Sequence, residues 1–316
     1  MTDDSKATMQ AVIAEKTGQS IEFGYQEMAR PVPQAGEILV AVHAAAITKD
    51  ELDWPEQWPA IPSYEISGVV AELGTDVTGV AVGDEVYALL DFDRDGAAAD
   101  YAAVPADEVA PKPSGLSHVE AASLPLATLT TWQGLIERAG LVAGQRVLIH
   151  GGAGGVGNYA VQLAASQGAE VIATASAKDA DYVRGLGAGL VIDYRTDVAD
   201  QAGKVDVVFD TVGGAVIDQS WQVIRPGGIL IAVASSPAEG EAERHGVRAD
   251  YFVVSPNRAQ LTEIARLVDK GAIRPQVGLV LPFTEAAAAF DALANGHVRG
   301  KIVLTSDPTV RSASPA

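Results

Sequence analysis

A glycine-rich segment, Gly152-Ala153-Gly154-Gly155-Val156-Gly157, carries the spacing G-x-G-x-x-G. It follows the apolar, β-branched stretch 146–150 and precedes residues 158–167, which have helical spacing. We expect Gly152 to take a tight turn, Gly154 to let a pyrophosphate approach, and Gly157 to let helix and strand pack closely. Unpaired N–H groups at the helix start would then face phosphates. The pattern predicts a dinucleotide-binding turn, the alternative being a turn that binds nothing.

Two kinds of segment surround this turn. Residues 9 to 113 contain short strands separated by glycine turns, which is typical of a mostly antiparallel, barrel-like unit. From residue 119 helices alternate with apolar strands, which predicts an α/β fold with a doubly wound parallel sheet. Residues 279–304 return to a strand–helix–strand pattern and are expected to rejoin the first unit. The polar tail, residues 308–316, is expected to be disordered.

Composition excludes several classes of function. The 316 residues include no cysteine, which removes disulfides, thiolate catalysis and cysteine-containing zinc sites. There are 41 acidic against 22 basic residues, and a net charge of −19 repels nucleic acid and anionic lipid. No uninterrupted apolar run is long enough to suggest a membrane span. The polar, acidic first ten residues resemble neither a signal nor a transit peptide, so we expect a cytoplasmic protein.

Taken in order, a set of short motifs resembles the zinc-independent medium-chain dehydrogenases/reductases, in the branch of the NADPH:quinone oxidoreductases and enone reductases. The resemblance covers nearly the whole chain. Its carriers are Gly68-Val69-Val70 with Gly74 and Val77, Val82-Gly83-Asp84-Glu85-Val86, Leu124-Pro125, Leu129-Thr130-Thr131-Trp132, residues 147–157, Asp210-Thr211-Val212-Gly213-Gly214, Gly227-Gly228 and Gly300-Lys301-Ile302-Val303-Leu304.

The resemblance implies a GroES-like β-barrel substrate domain with a Rossmann-type NADP-binding domain inserted into it. We expect residues 1–118 to form the first part of the substrate domain, 119–258 the nucleotide domain, and 259–316 a segment that mostly completes the substrate domain. The active site would lie in the cleft between the domains. Family members are commonly homodimers, often through the last strand of the nucleotide sheet, here near residues 251–254.

The end of the second nucleotide-domain strand bears on the choice of cofactor. An Asp or Glu at that tip usually binds the ribose 2′-OH of NAD, but here the strand runs into Ser176 and Lys178. These side chains could donate to a 2′-phosphate and neutralise it, and Tyr194 resembles the family tyrosine that lies against the same phosphate. We therefore predict NADPH over NADH, the alternative being that these are ordinary surface residues. Asp179 and Asp181 add negative charge nearby and are expected to favour a helix N-terminus.

Further cofactor contacts are implied by the resemblance alone. Thr130 matches the threonine near the nicotinamide end, and Ala153 to Val156 match the pyrophosphate loop. Val212 and Ala234 follow the fourth and fifth strands, where loops reach the adenine and the nicotinamide ribose. Lys301 matches the lysine after the family's closing glycine, which serves either the cofactor or only the domain junction.

The reacting end lacks the residues that hold zinc in metal-dependent relatives. Thr48 stands at the position of their cysteine and Tyr64 at that of the histidine in G-H-E, and neither side chain is a normal zinc ligand. The histidines show no ligand spacing: His43, His118, His150, His245 and His297. We therefore predict no metal. Tyr64, with Thr48 as a second candidate, would hydrogen-bond the oxyanion that develops on the acceptor, the alternative being that Tyr64 only packs.

The segment around Trp54 and Trp58 departs from the commoner family pattern. These two rings could form an apolar wall for a flat quinone or enone, or could equally anchor the loop. Asp50, Glu51 and Asp53 could suggest a general base, but they are interpreted as solvated loop residues. The leading hypothesis is an NADPH-dependent reductase of quinones or α,β-unsaturated carbonyls. The alternatives are a reductase of one specific biosynthetic or detoxification intermediate and a non-catalytic NADPH-binding sensor.

Overall fold

A computed structural model describes residues 8–18, 20–295, 298–310 and 312–313. The described chain divides into two compact units. The first unit contains the chain up to Leu126, then Ser255–Asp269 and the residues from Pro275 onward. The second contains Ala127–Val254 and Lys270–Arg274.

The strands and helices follow one another in this order. The first are β1 (Thr8–Thr17), β2 (Ser20–Ala29), β3 (Glu37–Ile47), β4 (Glu65–Leu73), β5 (Glu85–Leu89), β6 (Tyr101–Pro105), β7 (Ala110–Pro111), α1 (His118–Ala122) and α2 (Pro125–Thr131). There follow β8 (Arg146–His150), α3 (Gly157–Ser166), β9 (Glu170–Ala175), α4 (Ala180–Gly185), β10 (Leu190–Asp193), α5 (Val198–Ala202), β11 (Val205–Asp210), α6 (Ala215–Ser220), β12 (Ile224–Ala232), α7 (Glu241–Arg244) and β13 (Arg248–Tyr251). The last are α8 (Arg258–Asp269), β14 (Val277–Pro282), α9 (Ala286–Asn295), β15 (Lys301–Thr305) and β16 (Ser312–Ala313).

The second unit is the expected doubly wound sheet. Its six strands are parallel and lie in the order β10-β9-β8-β11-β12-β13. The strand order therefore reverses at β8, and the carboxyl ends beside such a reversal are where open α/β sheets bind ligands. Val205, Val208 and Leu230 are fully buried in its core because the strands are covered by helices.

The first unit is built on a mostly antiparallel sheet in the order β16-β14-β15-β3-β4-β5-β7, with β6 also paired to β3. β15 pairs antiparallel with β3, so the C-terminal segment completes the sheet that the N-terminal segment begins. β1 and β2 form a separate hairpin. The GroES-like and Rossmann-type fold class is confirmed.

The unit boundaries differ from 1–118, 119–258 and 259–316. The first unit runs on to Leu126, because α1 places Ala122 against Ala44, Ala46 and Val303 of the barrel sheet. The second unit ends at Val254 but regains residues 270–274. Two hydrogen bonds attach residues 270–274 to the second unit. The Gln162 side chain donates to the carbonyl of Arg274 (3.2 Å) and accepts from the N–H of Arg274 (2.8 Å).

Two further expectations need correction. The last strand of the nucleotide sheet is β13, three residues earlier than 251–254, because its ladder to β12 ends where β12 ends, at Ala232 opposite Tyr251. In the tail, where disorder was expected, the backbone of Ser312 and Ala313 pairs antiparallel with β14. Arg311 and residues 314–316 lie outside the described residues, as does most of the polar N-terminal stretch 1–10.

Candidate functional site

The turn between β8 and α3 uses its glycines differently from the expectation. The residue with the left-handed backbone is Gly151 (φ 76°), not Gly152. A Cβ at Gly152 would lie 2.9 Å from the Cβ of Ala173 and 3.2 Å from Val183 Cγ1, so this glycine serves packing against β9 and α4. A Cβ at Gly157 would overlap the carbonyl of Gly151, which confirms that the start of α3 needs a glycine to approach the turn.

The same turn exposes backbone donors. The N–H groups of Ala153, Gly155 and Val156 have no hydrogen-bond partner among the described residues, whereas that of Gly154 donates to Gly151 O at 2.9 Å. The side-chain amide of Asn158 donates to the carbonyls of Gly154 (2.8 Å) and Gly155 (3.0 Å). Unpaired N–H groups ahead of a ten-residue helix suit the phosphates of a dinucleotide.

The ends of β9 and β10 lie side by side, since the N–H of Tyr194 donates to Ala175 O at 3.2 Å. Lys178 and Tyr194 are exposed there, as expected for residues that meet a ligand from solvent. Ser176 is different, because it is buried and its hydroxyl donates to the carboxylate of Asp179 at 2.5 Å. Asp179 is the residue directly before α4, at the helix N-terminus as expected, but its side chain makes no capping bond to the helix.

The turns after β11 and β12 are ordered by side chains. The carboxylate of Asp210 accepts from the N–H groups of Val212 (3.1 Å) and Gly213 (2.9 Å), and burial raises its pKa. Ser235 Oγ accepts from Gly214 N–H at 3.1 Å, which ties the two turns together. The side chains of Val212 and Ala234 are exposed beside this tie. Thr130 is buried near the end of α2 in the same unit.

In the first unit the half-buried Thr48 lies in a cluster with three buried ionisable residues, Glu51, Glu65 and Lys301. The ammonium of Lys301 forms an ion pair with Glu65 and donates to Thr48 Oγ1 at 2.6 Å. The Thr48 hydroxyl in turn donates to Glu65 Oε1 at 3.2 Å, and the other oxygen of Glu65 accepts from Leu126 N–H at 2.9 Å. The charge of Lys301 is therefore balanced within this cluster.

Glu51 is buried rather than solvated, which corrects the expectation for this loop. Its two oxygens accept from the N–H groups of Thr48 (2.6 Å) and Ser63 (2.9 Å). Burial raises the pKa of Glu51 to about 8, although these two donors and the charge of Lys301 oppose the shift. Ser63, the residue before Tyr64, has a left-handed backbone (φ 70°), and its N–H is the donor to Glu51.

Three aromatic rings pack together in the first unit. Trp54 lies 5.7 Å from Tyr64 and 4.7 Å from Phe92, and Tyr64 lies 5.4 Å from Phe92, measured between ring centroids. Burial, then the charges of Glu51 and Asp95, raise the pKa of Tyr64 to about 12. The Tyr64 hydroxyl makes no hydrogen bond within the described parts of the chain. Trp58 is not part of this group and lies 5.6 Å from the ammonium of Lys16.

Residues 34–114 match the alcohol dehydrogenase GroES-like domain, and residues 186–304 match a family described as zinc-binding dehydrogenase. The chain is 30% identical over 321 residues to a probable zinc-binding oxidoreductase, mitochondrial, of Arthroderma benhamiae, covering 92% of this chain and 97% of that protein. The chain belongs to the medium-chain dehydrogenases/reductases, in their quinone and enone oxidoreductase branch.

Two further relatives support the branch. An NADPH-dependent alkenal/one oxidoreductase, chloroplastic, of Arabidopsis thaliana is 36% identical over 261 residues, which cover 79% of this chain and 65% of that protein. The structure of the quinone oxidoreductase from Coxiella burnetii matches with a TM-score of 0.83 and 31% identity, covering 94% of this chain and 99% of that one. This medium-chain dehydrogenase/reductase is therefore an oxidoreductase that uses a nicotinamide cofactor.

Within the described residues of this family member, no group of three or more His, Asp or Glu side chains is arranged to hold a metal ion. Two histidines expected to be scattered do meet, since the rings of His43 and His118 stack at 4.4 Å. His297 lies outside the described residues. None of the described helices is long and apolar enough to cross a membrane.

Sequence reasoning missed Phe92 and the roles of Glu51, Glu65 and Asp179. Phe92 follows β5 by three residues, and an aromatic residue just past a strand end was the available signal. Glu65 and Lys301 carry opposite charges at the first positions of β4 and β15, and such residues are almost never buried unless they are paired. Glu51 and Asp179 gave no such signal, because both stand in polar surroundings in the sequence.

Proposed function

We propose that this protein is an NADPH-dependent oxidoreductase that reduces quinones or α,β-unsaturated carbonyls by hydride transfer without a metal ion. The acceptor is a small molecule, and the protein acts in the cytoplasm. The proposal rests first on the backbone donors of Ala153, Gly155 and Val156, which suit the pyrophosphate of a dinucleotide. NADPH is favoured over NADH by Lys178 and Tyr194 at the neighbouring strand ends.

The acceptor side of the proposal rests on the rings of Trp54, Tyr64 and Phe92. Reduction of a quinone or enone adds a hydride and a proton, and the nicotinamide supplies the hydride when it is bound. A flat, conjugated acceptor suits stacking on an aromatic surface. With its pKa raised to about 12, Tyr64 keeps its proton at neutral pH and can donate a hydrogen bond to the oxygen on which charge develops.

The metal-free part of the proposal rests on the chemistry of the donor set. Thr48 and Tyr64 offer only neutral hydroxyls, which are not normal zinc ligands. The hydroxyl of Thr48 is already bonded to Lys301 and Glu65. The buried ammonium of Lys301 already balances the charge of the Glu65 carboxylate, so no metal cation is needed to balance it.

The deciding experiment follows NADPH oxidation with a panel of quinones and a panel of enones, before and after treatment with a chelator. Turnover of several acceptors that survives the chelator supports the proposal. Turnover of one compound only would favour the reductase of a specific intermediate. Tight NADPH binding without turnover of any acceptor would favour the sensor, and activity that is lost to the chelator and restored by zinc would refute the metal-free reaction.

The role of Tyr64 is tested by Tyr64→Phe, with Tyr25→Phe on β2 as the control. Removing a hydroxyl that stabilises the developing oxygen should lower kcat by about tenfold or more while NADPH binding stays unchanged. An unchanged kcat would leave Tyr64 with a packing role only. The control should behave as wild type.

We extend the proposal to a homodimer formed through β13. This strand lies at the edge of the six-stranded sheet, and Tyr251 and Val253 are exposed beside it. An unpaired strand edge with exposed apolar side chains favours pairing with another chain. Light scattering should give twice the chain mass of 32.7 kDa, and Val253→Lys should shift the mass toward one chain.

A further inference from the structure

The hydrogen bond between Ser176 and Asp179 joins two groups with opposite effects on a phosphate. A serine hydroxyl can donate to a 2′-phosphate, whereas a carboxylate repels it. In this chain the hydroxyl already donates to the carboxylate at 2.5 Å. Both side chains are only 8% exposed, so water screens the charge of Asp179 little.

The position of this pair relates it to the nucleotide. Ser176 directly follows β9, and Asp179 ends the short 3₁₀ turn Ala177–Asp179 that comes next. The glycine turn is attached to the same strand, because Gly152 N–H donates to Thr174 O at 2.8 Å. In a sheet of this type, the group at the end of the strand after the glycine turn contacts the ribose 2′ position.

We propose, on the basis of the proposed function, that Asp179 is a specificity-determining residue that lowers the preference of this enzyme for NADPH over NADH by holding the Ser176 hydroxyl and by repelling the 2′-phosphate. A ribose 2′-OH can instead donate to a carboxylate, so Asp179 does not penalise NADH. Lys178 and Tyr194 act in the opposite direction at the same strand ends.

The test measures the dissociation constants of NADPH and NADH by calorimetry on the full chain without an acceptor. Asp179→Ala removes both the charge and the acceptor of the Ser176 bond. It should tighten NADPH relative to NADH by about tenfold, the usual effect of one hydrogen bond to a charged group. Asp179→Asn removes only the charge and keeps an oxygen that can accept from Ser176. It should shift the ratio of the two dissociation constants in the same direction, and it serves as the test if the alanine variant does not fold.

Asp181→Ala is the matched control. It also removes one carboxylate near the start of α4, but the Asp181 side chain is 99% exposed and pairs with Arg184 at 2.7 Å. The control should leave the NADPH to NADH ratio unchanged. A shift in the control as large as that in Asp179→Ala would mean that net charge alone is responsible and would overturn the proposal.

Ser176→Ala separates the hydroxyl from the charge. In the wild-type chain it should change NADPH affinity less than twofold, because the hydroxyl is held by Asp179. In the Asp179→Ala background the same change should cost about tenfold. Equal losses in the two backgrounds would overturn the proposal, as would an unchanged ratio in both Asp179 variants.

These outcomes are separate from those of the acceptor assays. If both Asp179 variants keep the wild-type ratio while NADPH still drives quinone or enone reduction, only the role of Asp179 fails. If the ratio shifts as expected but no acceptor is turned over, the reductase function fails and Asp179 keeps its role. If neither nucleotide binds, both are refuted.

Discussion

The buried ion pair between Lys301 and Glu65 offers a quantitative test of the first unit. Lys301→Met keeps the apolar stem of the side chain and removes the ammonium. The carboxylate of Glu65 is 1% exposed, so it would stay buried with its bonds to Leu126 and Thr48 but without the cation that faces it. Burial already raises the pKa of Glu65, and Lys301 opposes that shift, so its removal should raise the pKa further.

The expected cost follows from the burial of both partners. Breaking a buried pair by removing one member leaves an uncompensated charge and typically costs about 3–5 kcal/mol. Glu51 in the same cluster is mostly protonated at neutral pH, because its pKa is raised to about 8, so the uncompensated charge is that of Glu65. The loss should shrink at acidic pH, because Glu65 can then take up a proton and lose its charge.

The assay is urea unfolding followed by tryptophan fluorescence. Trp132 and Trp221 belong to the second unit, so replacing both by Phe leaves Trp54 and Trp58 as reporters of the first unit. In that background, the free energy of unfolding is measured for Lys301→Met, Glu65→Gln and the double variant. The double variant should lose less than the sum of the single losses, since neither charge is then left alone.

Arg266→Met provides the control. Arg266 pairs with Glu263 on α8 in the same unit, but both side chains are about half exposed or more, and such pairs contribute about 0–1 kcal/mol. If Lys301→Met cost no more than this control and combined additively with Glu65→Gln, the cluster would not be the buried electrostatic unit described here.

Three other perturbations test separate parts of the molecule. The pKa of Glu51 is about 8 in the fold against 4.5 for the unperturbed group, so the stability gained by its protonation is complete below about pH 4.5 and is lost as the pH rises to 8. Unfolding measured from pH 5 to 9 should show this fall, with a slope of at most about 1.4 kcal/mol per pH unit, and Glu51→Gln should flatten it. Gly157→Ala should abolish NADPH binding measured by calorimetry and lower the melting temperature, whereas Gly185→Ala, where a Cβ meets nothing within 4 Å, should do neither. Trp54→Ala should raise the KM for an aromatic quinone about fivefold to tenfold, the effect of losing one ring contact, whereas Trp58→Ala should not.

Features encoded by neighbouring residues could be predicted from the sequence. Strand β8 has the expected bounds, 146–150, and the glycine turn leads directly into α3. An apolar run, a glycine cluster and a helical repeat each depend on contacts within a few residues, so the chain order itself carries the signal. The shift of β13 shows the limit: residues 252–254 have strand-forming side chains, but β12 has ended and offers them no partner.

The glycine turn shows a second limit. The spacing G-x-G-x-x-G was counted from Gly152, yet the left-handed residue is Gly151, one position earlier. Spacing alone gives the number of glycines but not which neighbour each one must avoid. That depends on Ala173 and Val183, which approach Gly152 from β9 and α4. The presence of the turn was therefore predictable from the sequence, but the separate role of each of its glycines was not.

The roles of acidic residues are the hardest to predict from the sequence, because they depend on which groups lie opposite the carboxylates in space. Glu51, Asp179 and Asp181 look alike in the sequence, as carboxylates in polar segments. In the structure Glu51 is buried and accepts from two backbone N–H groups, Asp179 accepts from a serine hydroxyl, and Asp181 is solvent-exposed in the first turn of α4. A buried carboxylate requires donors supplied by segments distant in the chain, such as Ser63 for Glu51. The surroundings of these carboxylates are therefore set by partners that a single sequence does not reveal.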